Sequence, residues 1–191
     1  MHAALSSTVR FAAAGLLALA CHAALAAEPP AWIAAALPSA RLAGEGGFTW
    51  FGLSIYDAQL WVGEQGYVAE QAGAAPFVLD LRYARSLNGR KIAEASVDQM
   101  EKVGAGTAAQ RQAWLKTMSG IFPDVREGTH LAGLYLTGMP GGVRFYIDGK
   151  VLADIADPAF AQAFFAIWLS PDTSAKKLRA ALLADAAPRH P

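Results

Sequence analysis

Residues 157–169 limit the fold of this chain more than any other segment. Asp157-Pro158 pairs an N-cap residue with proline at the first helical position, where the missing N–H costs nothing. Phe160, Ala163, Phe164, Ile167 and Trp168 then fall at i, i+3, i+4, i+7 and i+8, a single stripe of an α-helix. A helical face carrying three large aromatic rings needs a broad apolar surface opposite it, and Pro171 ends the helix soon after.

The strands that could supply this surface are legible on both sides of a helical stretch. Residues 48–62 (FTWFGLSIYDAQLWV) are rich in aromatic and β-branched side chains, with Gly52 as a bulge or bend in one long strand, and strand-like sequence begins near Arg41,. In residues 77–83, Phe77, Leu79, Leu81 and Tyr83 share one face while Asp80 and Arg82 share the other. That alternation predicts one buried face and one wet face. Further strands are expected over 130–136, 143–147 and 151–155, joined by a turn at 138–142 and by the two-residue loop Asp148-Gly149,. Between the two strand groups lie two helices. One spans 91–103 with Ile92, Ser96, Met100 and Val103 in a stripe; the other opens on a Thr107/Gln110 capping box and carries Trp114, Leu115 and Met118,. A weaker helix is expected over 173–184. Strands, helices, strands and helices in that order describe an α+β domain built on an antiparallel sheet.

The N-terminus reads as a secretory signal. Arg10 is its positive region, residues 11–20 its apolar core, and Ala24-Leu25-Ala26 its cleavage site, ahead of Pro29-Pro30. The apolar run of 17 residues, interrupted by His22, falls short of the ~20 that cross a bilayer. Cys21 lacks the leucine usual three residues before a lipidated cysteine, so ordinary cleavage is expected. The expected organisation is a signal at 1–26, a lead-in at 27–40 with a helical turn near 32–36, a domain at 41–185 and a tail at 186–191. The expected location is the periplasm, with no transmembrane segment in the mature chain.

After cleavage 15 basic and 16 acidic residues remain. That balance gives no long-range pull toward nucleic acid or an anionic membrane. The mature chain has no cysteine, and His130 is the one histidine between signal and tail, so neither a metal site nor a metal cofactor is expected. No Gly-x-Ser-x-Gly elbow is present. His130 reads as a strand-edge residue. The glycines at 44, 46 and 47 precede a strand, and those at 104 and 106 separate two helices, so neither cluster reads as a nucleotide cradle,. No cofactor is expected.

Four phrases in series carry a resemblance: Gly52-x-x-Ile55-Tyr56-Asp57-Ala58-x-Leu60-Trp61, Phe77-x-Leu79-x-Leu81-x-Tyr83, Ile121-Phe122-Pro123-Asp124-Val125, and Asp157-Pro158-x-Phe160-Ala161-x-Ala163-Phe164-Phe165-x-Ile167-Trp168-Leu169. From about residue 41 to 184 the chain resembles the bacterial chalcone isomerase-like proteins. The resemblance implies a large antiparallel sheet with helices on one face and a ligand cleft between them. It also implies one of two activities. Enzymes of the superfamily close a flavanone ring without a cofactor, using an arginine, a threonine and a tyrosine; non-enzymatic members hold a fatty-acid carboxylate with an arginine and a tyrosine.

Gapless carry-over places Phe51 at the threonine position and Ile92 at the tyrosine position, with Arg41 the nearest arginine. Hydrocarbon cannot stabilise a developing enolate, which argues against isomerase activity. The expectation is therefore binding of a fatty acid or similar apolar anion, with Arg41, Trp50, Tyr56, Tyr83 and Arg85 as ligand-binding candidates. A cofactor-independent isomerase and an envelope interaction module without a small ligand are the alternatives. Taken one at a time, Trp50, Tyr56 and Tyr83 read first as core rings, the tyrosine hydroxyls bonded to backbone, and Arg85 as a surface residue. The sequence leaves oligomeric state open.

Overall fold

The computed structural model describes residues 27–189; the signal assigned to residues 1–26, with Cys21, lies outside them, as do the last two residues of the tail. Six strands form one antiparallel sheet in sequence order: β1 (Arg41–Trp50), β2 (Leu53–Val62), β3 (Phe77–Tyr83), β4 (His130–Leu136), β5 (Gly142–Ile147) and β6 (Lys150–Ile155). Two helices, α2 (Gly89–Lys102) and α3 (Ala108–Ile121), interrupt the meander between β3 and β4, and α4 (Pro158–Leu169) and α5 (Lys176–Leu182) follow β6. These four helices share one face of the sheet. The short α1 (Ala31–Ala36) packs on the other.

The α4 helix forms for the local reasons its sequence suggests. Asp157 Oδ1 accepts the Phe160 amide at 3.0 Å while Oδ2 accepts Trp114 Nε1 at 3.0 Å. One carboxylate thus caps α4 and ties it to α3. At the other end Arg179 Nε donates to the Leu169 carbonyl at 2.8 Å, satisfying an orphan acceptor of the helix terminus. Phe160 is fully buried, stacked on Phe164 at 5.7 Å, and edge-on to Trp114 and Phe145. Gly133 on β4 leaves room for Phe165, whose ring a Cβ there would meet at 3.0 Å. The Thr107/Gln110 capping box forms as its spacing predicts.

Two sequence expectations change. Residues 48–62 are not one strand bent at Gly52. Trp50 pairs with Leu53, and Phe51-Gly52 is a two-residue turn with φ of 47° and 76°. Positive φ at both positions is the geometry that suits the right-handed twist of a hairpin. Phe51 pays for it, since an L-residue in the left-handed region costs about 1–2 kcal/mol. The second change concerns β3, expected to be wet on one face. Val78 and Asp80 are both buried. Ile33 and Leu37, from the segment read as a lead-in, cover a second apolar cluster with Trp61, Val78 and Leu134.

Phe160→Ala should destabilise the protein by about 3–5 kcal/mol in denaturant melts, the range for emptying a packed aromatic site. A loss below about 1 kcal/mol would mean that α4 is not held as described.

Candidate functional site

On the helical side of the sheet, α4 sits on β5 and α5 on β1, while α2 packs mainly on α3 and α4. The middle of the sheet is therefore not closed by α2, and a cleft of about 370 Å³ lies between them, within the size range of small-molecule sites. Leu79, Leu81, Leu131 and Phe145 form its floor. Ile92, Ala95 and Ser96 from α2 and Phe164, Ile167 and Trp168 from α4 form its walls. Trp50, Lys91, Ala95, Asp98, Lys102 and Ser174 are its solvent-exposed members and so make its rim.

An aromatic row across three strands bounds this space. Strand register sets Phe48 opposite Tyr56 and Tyr56 opposite Tyr83. Phe48 stacks on Tyr56 with ring centroids 5.2 Å apart, and Tyr83 meets Tyr56 edge-on at 5.9 Å. Trp168 Nε1 donates to Tyr56 Oη at 3.0 Å, so α4 fixes the row in place. Burial pushes the Tyr56 hydroxyl up to about 12, and burial beside Tyr56 raises that of Tyr83. Both phenols stay protonated at neutral pH and act as neutral hydrogen-bonding groups, not as bases.

Of the five residues singled out from sequence, the fold brings Trp50, Tyr56 and Tyr83 together at the cleft. Arg41 and Arg85 are not part of its lining. Arg41 pairs across from Val62, at the opposite end of β1 from Phe48 and Trp50. Its side chain is only 12% exposed. The guanidinium donates to the carbonyls of Asp185 and Ala187 and lies 3.4 Å from the Asp185 carboxylate. It clamps the C-terminal segment, including part of the stretch read as tail. Arg85 follows β3 and is half-buried outside the cleft. Phe51, counted as the enzymes' threonine position, is at the turn and outside the lining too, whereas Ile92 lines the cleft. The cations that do reach the cleft, Lys91 and Lys102, are not among the residues singled out from sequence. Their signal was a stripe, Lys91-Ala95-Gln99-Lys102, running beside the apolar one.

The outer face of the sheet carries a second, polar depression lined by Glu45, Asp57, Gln59, Asp80, Arg82 and His130 among others. Asp80 is buried, its Oδ2 lies 2.8 Å from His130 Nδ1, and its Oδ1 has no partner among the described residues. The hydrogen bond with Asp80 raises the His130 pKa against the opposing effect of burial. Gln59 Nε2 donates to Glu45 at 2.8 Å beside this pair.

A six-stranded antiparallel meander, a helical layer on one face and an apolar cleft between them define the architecture. The chalcone isomerase-like family profile matches residues 27–184, and the chain belongs to that family. An uncharacterized protein of Haemophilus influenzae is 28% identical over 147 residues, covering 77% of this chain and 69% of the relative. Among solved structures, a fatty-acid binding protein of Arabidopsis thaliana superposes with a TM-score of 0.62 at 12% identity, covering 78% of this chain and 89% of its own. At that identity the likeness is one of fold.

The Asp80–His130 pair makes stability depend on pH. With the folded imidazole pKa above the ordinary 6.5, the pair's contribution is complete below about pH 6.5 and is lost as pH rises through the folded value. Melting temperatures of the wild type should fall more between about pH 6 and pH 9 than those of His130→Gln. Parallel profiles would show that the pair contributes nothing in solution.

Proposed function

We propose that this protein is exported to the periplasm and there holds a fatty acid or similar apolar anion in the helix–sheet cleft, without catalysing a reaction. The observation that carries this reading is the distribution of polarity in the cleft. Floor and walls are almost wholly hydrocarbon and aromatic, and the ionic groups are confined to the rim, where two lysines outnumber Asp98. A site of this kind gains affinity from burying an alkyl chain, about 0.8 kcal/mol per methylene. It selects the head by charge at the mouth. The fatty-acid binding protein of the same fold supports the ligand class.

The buried tyrosines argue against a catalytic base in the cleft, because both remain protonated far above neutral pH. Binding asks nothing more of them than position.

Calorimetric titration with dodecanoate and with its methyl ester tests the reading. The acid should bind more tightly than the ester. Lys91→Gln with Lys102→Gln should weaken the acid about two- to tenfold, the worth of one or two exposed ion pairs, and leave the ester unchanged. Ala95→Trp, at an exposed helix position on the rim, should block both ligands without loss of stability. Equal binding by Ala95→Trp and wild type would place the ligand elsewhere. Export is tested separately: protein recovered from the periplasm should have a mass starting at Ala27, and recovery of the full-length chain in the cytoplasm would contradict it.

A further inference from the structure

The β1–β2 turn is the most exposed apolar feature among the described residues beside the cleft. Phe51 is 89% exposed, Trp50 55% and Leu53 53%. Trp50 and Phe51 meet edge-on at 5.0 Å, and a Cβ built on Gly52 finds nothing within 4 Å, so the turn stands clear of the body. No charged residue occurs between Gly47 and Asp57. The backbone makes the choice of side chain conspicuous. Both turn positions have positive φ, a geometry that favours Asn-Gly or Asp-Gly, yet the first is a phenylalanine exposed to water. Stability and solubility both favour asparagine there. Neither accounts for an aromatic ring.

Trp50 belongs to this tip and to the rim of the cleft at once, so whatever the tip touches lies at the entrance. Three apolar side chains, one in a two-residue turn and two flanking it, form a point rather than a face. A stable protein interface needs roughly 800 Å² from each partner with well-packed anchors. A point fits a fluid surface better, where tryptophan settles at the level of the head groups and phenylalanine and leucine reach the acyl chains.

We propose that the Trp50–Leu53 tip inserts into the surface of a phospholipid bilayer and that the apolar ligand passes between bilayer and cleft at this contact. The proposal rests on the reading of the cleft as a lipid site. The mature chain carries 15 basic and 16 acidic residues, so attraction to the bilayer is short-ranged and apolar. Lys91 and Lys102 on the same rim meet lipid phosphates only once the tip is in place.

The test uses mixed phosphatidylethanolamine–phosphatidylglycerol vesicles, with co-sedimentation, transfer of a fluorescent fatty acid from vesicles to protein, and fatty-acid affinity in vesicle-free buffer measured in parallel. The variant is Phe51→Asn, alone and combined with Leu53→Thr. Neither residue lines the cleft. Phe51→Asn should lower vesicle binding about tenfold, the effect of withdrawing one buried ring. It should slow transfer in proportion, leave the affinity in buffer unchanged, and hold or raise the melting temperature because asparagine suits the turn. Wild-type vesicle binding should persist in high salt. Unchanged vesicle binding by the double variant overturns the proposal. So does sedimentation velocity showing a wild-type dimer that Phe51→Asn dissolves, since the tip would then serve protein association. Vesicle binding that depends on Phe51 in a protein with no affinity for fatty acid in buffer supports the membrane contact and defeats the lipid-cleft reading instead.

Discussion

The packing of α4 on β4 and β5 is the contact from which the rest of this structure follows. Phe160, Phe164 and Phe165 fill the space above Phe145 and Gly133, and the Asp157 and Arg179 contacts fix both ends of the helix. Anchored there, α4 supports α2 from the side. With α5 held over β1, α2 rests on α3 and α4 and is not drawn down onto the sheet. An open apolar cleft is costly, because its lining loses dispersion contacts and exposes hydrocarbon to water. The aromatic wedge is what holds the cleft open against collapse, and an alkyl chain is the kind of molecule that removes the cost.

The two faces of the sheet divide the chemistry between them. The inner rows of β2 and β3 present Leu60, Leu79 and Leu81 and end in two neutral phenols; the outer rows present Asp57, Gln59, Asp80 and Arg82. Strand alternation produces this division at no further structural cost. Charge is kept out of the inner cleft altogether and returns only at its rim, where a ligand's head group would emerge. On the outer face the Asp80–His130 pair, one partner buried and the other half-exposed, instead serves as a hydrogen-bonded tie between β3 and β4.

Much of the fold was legible because its signals are local. The cap and stripe of α4, the capping box of α3 and the Asp148-Gly149 turn each depend on residues close in sequence, and each appears as expected. The β1–β2 turn was not legible, because Phe-Gly lacks the asparagine or aspartate that marks such a turn; a hairpin therefore read as one bent strand. The covered outer face was missed for another reason. Ile33 and Leu37 bury Val78 through a contact between segments some 40 residues apart, which periodicity within a strand does not register. Site residues divided in the same way. Tyr83 followed from its strand face, whereas Trp50 and Tyr56 reach the cleft from two strands of a hairpin that read as one. Arg41 was misplaced because its position along β1, remote from the cleft, depends on the register with β2 and on the C-terminal segment it clamps. Lys91 and Lys102 became meaningful only when α2 was seen to border a gap.

Amide chemical-shift mapping during titration with dodecanoate is the most direct test of the central claim, that the cleft between α2 and the sheet takes an apolar anion. The account predicts saturable shifts in α2, α4 and the residues of β2–β4 that floor the cleft, with α1 and the outer depression unmoved. Shifts gathered around Glu45, Asp80 and His130, or no saturable shift at all, would contradict it.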